Sequence, residues 1–248
     1  MSDHTNQINF DILNYARNKI IIMSKEIESV GKCLYCNEIV DSLEIKKHLE
    51  KHLKAKEKES KNNATENYCY VEVESENYFL QLLVKGDAKM KVIDTFLKKI
   101  WLDCCGHLSG FSHRQYKVSK SHSVEDVFQP RVKIGYEYDY GSTTYLELKA
   151  GKQFMLPTQK KDVVLLSRNE PLPLGCDICH KKVATSLCSC CLWEDESHFC
   201  DNCKEKHGEH CSDYLDWAEM PIVNSPRMGV CGYEGGTIDK ERDGIYGK

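Results

Sequence analysis

The chain has 248 residues, a formal net charge of −4 and 14 cysteines. This length accommodates one large domain or two to three small ones, and the slightly acidic balance excludes a general electrostatic attraction to nucleic acid or anionic membranes. Residues 1–7 lack the basic and apolar character of a signal peptide, and the longest apolar run, Ile20–Met23, is too short to cross a bilayer. We therefore expect a soluble, cytoplasmic protein, in which clustered Cys-x2-Cys pairs favour metal binding over disulfides.

The N-terminal segment is predicted to contain a helix and a zinc finger. Residues 8–30 carry apolar side chains at helical spacing, which predicts a packing helix that ends at Gly31. A pair of cysteines then precedes two histidines at positions i and i+4, which a helix presents on one face. This spacing predicts a two-Cys/two-His zinc site. Its ligands are Cys33, Cys36, His48 and His52.

The middle of the chain predicts an α+β domain. Residues 1–53 form the helix-and-finger segment, the charged residues 54–67 predict a linker, and residues 68–170 change to period-two strand patterns around one helix, Met90–Leu102. Two alternating, tyrosine-rich segments, 132–138 and 143–148, predict a hairpin. We interpret its tyrosines as cross-strand packing, with a base-stacking surface as the alternative. The predicted fold is a small antiparallel or mixed sheet with a packing helix.

Two segments of this domain resemble a known family. Residues 135–143, Gly-Tyr-Glu-Tyr-Asp-Tyr-Gly-Ser-Thr, resemble the Tyr-x-Tyr-Asp-Phe-Gly hairpin of the Ri-plasmid ORF-3-like family, whose members also occur as passenger proteins of insertion elements. Residues 96–109 resemble the helix exit of an archaeal and bacterial subgroup, and the C-terminal cysteine pairs and residues 224–229 resemble subgroup extensions. The resemblance covers about residues 70–170 and implies a compact α+β domain, a cytoplasmic location and no established activity. Tyr140 stands where Phe is usual, and residues 142–144 replace the Asp and Trp of many members.

Residues 171–248 predict a cross-braced pair of zinc sites and an irregular tail. Twenty residues separate the two cysteine pairs of an outer set, and fifteen separate the two pairs of an inner set, whereas neighbouring pairs are only eight or three residues apart. The longer gaps are typical of zinc sites. The outer ligands are Cys176, Cys179, Cys200 and Cys203, and the inner ligands are Cys188, Cys191, His207 and Cys211. The sequence leaves open whether Cys190 replaces Cys191 and whether His210 replaces Cys211. Three zinc ions are expected in all.

The predicted function is that of a non-enzymatic zinc-binding interaction or adaptor protein. Sites with four protein ligands leave no position for a substrate, so the zinc ions are expected to be structural. We expect the partner to be another protein, with nucleic-acid machinery as one setting. Trp193, flanked by acidic residues, either binds such a partner or covers the zinc core. Arg227 anchors the tail either to the central domain, which is the expectation, or to a partner.

The sequence is also compatible with two alternative functions. The first is direct, non-specific RNA or DNA binding through lysines of the finger and tyrosines of the hairpin. Base-specific reading is disfavoured, because two of the three finger positions that usually contact bases are acidic. These positions are Asp41, Glu44 and Lys47.

The second alternative is an enzyme that uses Cys104, Cys105 and His107 as a nucleophilic or redox centre. Against it stands the interpretation that the end of the predicted helix simply buries one of these cysteines. Cys69 and Cys231 are predicted to be buried thiols.

Overall fold

The computed structural model describes residues 29–60, 64–194 and 196–238. The helix predicted over residues 8–30 lies almost entirely outside these ranges. No helix within them has the length and apolar character needed to span a bilayer. In chain order the elements are β1 Val30–Lys32, β2 Ile39–Asp41, α1 Ile45–Glu59, β3 Glu66–Ser75, β4 Tyr78–Lys85, α2 Lys91–Leu97, a π-helical turn Lys98–Leu102, β5 Ser109–His113, β6 Tyr116–Val118, α3 Val124–Val127, β7 Lys133–Tyr138, β8 Thr144–Leu156, β9 Val163–Arg168, β10 Ser186–Cys188, β11 His198–Phe199, α4 Lys204–Gly208, a second π-helical turn Tyr214–Ala218, and β12 Glu219–Pro221.

A seven-stranded antiparallel sheet forms the body of the molecule, in the order β6-β5-β7-β8-β3-β4-β9. Together with the helices it confirms the predicted α+β class. Side chains alternate between the two faces of a strand, so Val71 and Val73 of β3 lie on one face while Tyr68 and Tyr70 lie on the other. Both sets are buried. The central strands are therefore covered on both sides.

Helix α2 and the π-helical turn after it cover the first face. Ile93, Leu97, Ile100 and Trp101 are fully buried in the same cluster as Val71 and the other residues of that face. Burial of each such side chain stabilises the fold by about 1.5–3 kcal/mol. The predicted helix Met90–Leu102 thus splits into an α-helix and a wider π-helical turn, whose last residues lead into Cys104 and Cys105.

The finger helix α1 covers the second face. Ile45, Leu49 and Leu53 recur every four residues and pack against Tyr70 and Phe79 of the sheet. Helix α1 continues to Glu59 and β3 begins at Glu66, so both elements extend into residues 54–67, which the charge pattern predicts to be a helix end and a linker. At the end of the helix, the Glu57 carboxylate accepts a 2.8 Å hydrogen bond from the backbone N–H of Met155, which ties residues 54–59 to β8.

The tail that follows the zinc region, residues 222–238, packs against the central sheet domain. Ser225 Oγ donates a 2.7 Å hydrogen bond to the carbonyl of Trp101. The Arg168 guanidinium donates to the carbonyl of Asn224 at 2.7 Å, and the amide of Asn224 donates to the carbonyl of Asn169 at 2.8 Å. Asn224, Ser225 and Arg227 are all buried. The tail is thus an integral part of the core.

Candidate metal centres

The finger residues converge on one point. The β1–β2 segment carries Cys33 and Cys36, and α1 carries His48 and His52, with all four ligand atoms within 4.8 Å of one another. His48 Nε2 lies 3.2 Å from Cys36 Sγ and 3.2 Å from His52 Nε2. Burial, followed by the charge of His48, lowers the pKa of His52, which favours the neutral imidazole that binds metals.

The outer set of the cross-brace also comes together. Cys176, Cys179, Cys200 and Cys203 have ligand atoms within 4.8 Å, and the Cys179 and Cys200 sulfurs are 3.9 Å apart. Sulfurs bound to one tetrahedral zinc at about 2.3 Å lie about 3.8 Å apart. Backbone N–H groups of residues 181 and 182 lower the pKa of Cys179 to about 6, which favours its thiolate.

The inner set resolves the two alternatives left open by the sequence. The Cys211 sulfur lies 3.9 Å from both Cys188 and Cys191, and His207 completes the group. The Cys190 sulfur instead lies 4.0 Å from a carboxylate oxygen of Asp213. His210 Nδ1 lies 2.9 Å from the carbonyl of Lys206. The structure therefore groups Cys191 and Cys211 with the inner set.

The surroundings of His207 indicate whether a metal ion fits the inner set. His207 Nε2 is buried and has no hydrogen-bond partner in the described ranges. Its ring stacks on Phe199 with centroids 4.1 Å apart and meets Tyr214 edge-on. Burial lowers the pKa of His207 and so favours its neutral form. A buried imidazole nitrogen without a hydrogen-bond partner, beside three thiols, fits a metal ion, and a mixed thiolate and imidazole donor set suits zinc.

A fourth group of potential ligands was not predicted as a metal site. Cys104, Cys105, His107 and Cys231 place their ligand atoms within 4.8 Å of one another. The prediction that Cys231 is buried is wrong, because this residue is exposed, whereas Cys69 is buried as predicted. Because His107 and Cys231 are 124 positions apart, no local spacing in the sequence reveals the group.

A buried ion pair docks the tail beside this fourth group. Arg227 is fully buried, and its Nη2 donates a 2.7 Å hydrogen bond to Asp139 Oδ2. Its Nη1 donates to the carbonyl of Ser142 at 2.9 Å, and the guanidinium lies 4.9 Å from the Tyr138 ring centroid. The hydrogen bond from Arg227 holds the pKa of Asp139 below its usual value. Arg227 therefore anchors the tail to the predicted hairpin.

The residues considered for nucleic-acid contact are divided between the core and the surface. Tyr136 and Tyr138 of the hairpin are fully buried, so they pack as predicted, while Tyr140 and Tyr145 are exposed. On α1, Lys46 pairs with Glu72 at 2.5 Å and Lys54 lies 3.9 Å from Glu50. Lys56 lies over the Tyr35 ring. Several finger lysines are thus engaged within the molecule, and of the three positions that usually contact bases, Glu44 and Lys47 pair with each other at 3.5 Å.

A cleft lies between the cross-brace and the sheet. This Trp193 cleft has a volume of about 780 Å³ and is lined by Trp193, Tyr145, Glu74, Glu76, Glu147 and tail residues 229–231. Trp193 is 69% exposed and Tyr145 is 53% exposed. Trp193 therefore does not cover the zinc core, which was one of its two predicted roles.

Comparisons with known proteins do not assign the chain. No family model matches it, and no curated protein is detectably similar. A crystal structure of a protein of unknown function from Methanosarcina mazei Go1 aligns with a TM-score of 0.35 and 10% identity, over 40% of this chain and 68% of that chain. Similarity at this level carries no argument about function, and the resemblance to the Ri-plasmid ORF-3-like family stays a prediction.

Proposed function

We propose that this chain is a non-enzymatic, zinc-binding interaction protein whose partner is a basic segment of another protein. The predicted clusters each supply four protein ligands, which is typical of closed structural sites and leaves no coordination position for a substrate. Their role would then be to hold the finger and the C-terminal module against the sheet. The partner surface must lie elsewhere on the molecule.

The observation that carries the proposal is the exposed Trp193 in the cleft. Large aromatic side chains that stand exposed beside polar groups are typical of protein-binding hot spots, because they bury much area at little conformational cost. Tyr145 supplies a second exposed ring in the same cleft. Together they offer an apolar centre, and the surrounding carboxylates offer a polar rim.

The charges of the rim favour a basic partner. Glu74 and Glu147 both pair with Lys149, whereas Glu76 forms no ion pair with any described residue. A lysine or arginine entering the cleft would pair with Glu76 and lie over an aromatic ring, which contributes about 0.5–2 kcal/mol. A phosphate backbone would instead be repelled by the three carboxylates.

The test uses two exposed tryptophans. Zinc-loaded protein is titrated with a lysine- and arginine-rich nonapeptide, and binding is followed by calorimetry. We expect W193A to weaken binding by roughly thirty-fold, since a hot-spot aromatic contributes about 2 kcal/mol. The matched control is W217A, because Trp217 is 65% exposed but does not line the cleft. Equal affinities of W193A and W217A, or no binding by the unaltered protein, would contradict the proposal.

A second surface favours non-specific nucleic-acid binding as the other candidate function. An open cleft of about 1370 Å³ gathers five exposed lysines. This lysine cleft comprises Lys89, Lys91, Lys99, Lys160 and Lys161. Phosphate contacts make affinity fall steeply with salt. A salt titration with a mixed single-stranded oligonucleotide, repeated on K160E/K161E protein, therefore separates this function from the first.

A further inference from the structure

The distances among Cys104, Cys105 and Cys231 match those of ligands to one ion. The Cys105 sulfur lies 3.8 Å from the sulfurs of both Cys104 and Cys231. Two thiolates on a tetrahedral zinc stand about 3.8 Å apart, whereas a disulfide requires about 2.05 Å. The three thiols are thus placed as separate ligands around a common centre.

His107 completes the group and is itself oriented by a carboxylate. Its Nε2 lies 3.0 Å from the Cys105 sulfur and 3.3 Å from the Cys231 sulfur. On the opposite side of the ring, Nδ1 lies 3.4 Å from Asp139 Oδ1. A carboxylate behind a ligating imidazole is the usual arrangement at protein zinc sites, because it fixes the ring orientation.

The loop that carries three of the ligands is held in shape by its own hydrogen bonds. Asp103 Oδ1 accepts a 3.0 Å hydrogen bond from the N–H of Gly106 and another of 3.0 Å from the Tyr138 hydroxyl. Gly106 has a φ of +81°, a conformation that a glycine adopts without strain, and it lets the chain reverse between Cys105 and His107. The ligands are therefore presented by a preorganised turn.

The local charge also suits a Cys3His zinc site. Three thiolates, a neutral imidazole and a dication together carry one negative charge. Arg227 Nη2, which also pairs with Asp139, donates to the Cys104 sulfur at 3.5 Å and so favours its thiolate. The same arginine anchors the tail, which carries Cys231. One side chain therefore both interacts with Cys104 and brings Cys231 close to the other three ligands.

We propose that Cys104, Cys105, His107 and Cys231 bind a fourth zinc ion that fastens the tail to the body. None of these four residues is buried, whereas each of the other three clusters has at least one buried ligand. The fourth ion is therefore the one most open to exchange with solvent. Because residues 229–231 also line the Trp193 cleft, this ion holds one wall of that cleft in place.

The experiment compares thiols of similar exposure in the full chain. Cys105, Cys190 and Cys231 are all exposed, but Cys190 belongs to none of the four clusters. Zinc-loaded protein is treated with a maleimide, and labelled cysteines are identified by peptide mass spectrometry. We expect Cys190 to react at least about tenfold faster than Cys105 and Cys231, because thiols bound to zinc are poor nucleophiles. Brief treatment with EDTA should remove this protection before that of the buried ligands.

Zinc content provides the second readout. Unaltered protein and C190S should each bind four zinc ions, and C231S should bind three while keeping its circular dichroism spectrum. Equal labelling of Cys105, Cys231 and Cys190 in zinc-loaded protein would overturn the site, as would the same zinc content in C231S and C190S. Because the labelling uses unaltered protein, this part of the test does not depend on how the variant folds. Neither readout depends on the peptide binding proposed for the Trp193 cleft.

Discussion

Arg227 links the tail to two segments that lie far from it in the sequence, the β7–β8 hairpin and the loop of Cys104. Its guanidinium donates to Asp139 and to the carbonyl of Ser142, and it lies near the sulfur of Cys104. A buried charge that loses its partner is strongly destabilising, because it keeps its desolvation cost without compensation. The tail conformation should therefore depend on this single side chain.

The variant R227M should release the tail. It leaves Asp139 buried without its cationic partner, so the segment 224–238 should open more often, and cleavage there by a protease should accelerate by on the order of tenfold or more. The control is K133M, since the pair of Lys133 with Glu147 at 3.1 Å is exposed and contributes little. Equal cleavage rates in R227M and K133M would show that the ion pair does not hold the tail.

The sequence predicts metal ligands best where these residues lie close together in the chain. The Cys-x2-Cys pairs and the His48-x3-His52 spacing placed three clusters, because the local turn or helix alone brings each pair together. The sequence does not decide between Cys190 and Cys191, because both lie close enough to Cys188 to bind the same ion. In the fold, Cys191 lies beside Cys211, whereas Cys190 lies near Asp213. The prediction that Cys231 is buried is wrong because its neighbours in space come from a loop more than a hundred residues away in the sequence.

Among the elements, α1 has two roles. One face of this helix presents His48 and His52 to the finger cysteines, and the adjacent stripe of Ile45, Leu49 and Leu53 covers the sheet. The sequence predicts the histidine face of this helix, but it does not reveal that Ile45, Leu49 and Leu53 pack against the sheet. Strands β3 and β4 are buried on both faces. The alternation of valine with Glu72 and Glu74 in β3 indicates only one covered face, so the sequence does not show that a second element covers the other.

Replacement of Leu49 by alanine tests the second role of α1. Leu49 is fully buried between the helix and the sheet, so L49A should lower the free energy of unfolding by about 2–5 kcal/mol in urea at fixed zinc concentration. L43A is the matched control, because Leu43 is 89% exposed and should leave stability unchanged. If L49A were as stable as L43A, the finger would be an independent unit and not part of the common core.

At the scale of the whole molecule, the clusters lie where segments meet. The finger cluster lies beside the second face of the sheet, the cross-brace organises residues 176–211, and the fourth group joins the helix exit to the tail. The central sheet has a large apolar core of its own, whereas the described residues of the C-terminal module form only small clusters around its cysteines. Domains with so little apolar core usually depend on metals for their fold.

The most direct test of this account is native mass spectrometry of the full chain purified without oxygen, combined with limited proteolysis before and after chelation. We expect zinc in at least the three predicted clusters. After its removal, cleavage should occur in residues 29–60 and 171–238 well before residues 66–168. Protein that carries no bound metal and yet resists proteolysis equally in all three segments would contradict the claim that metal ions hold the finger and the C-terminal module in place.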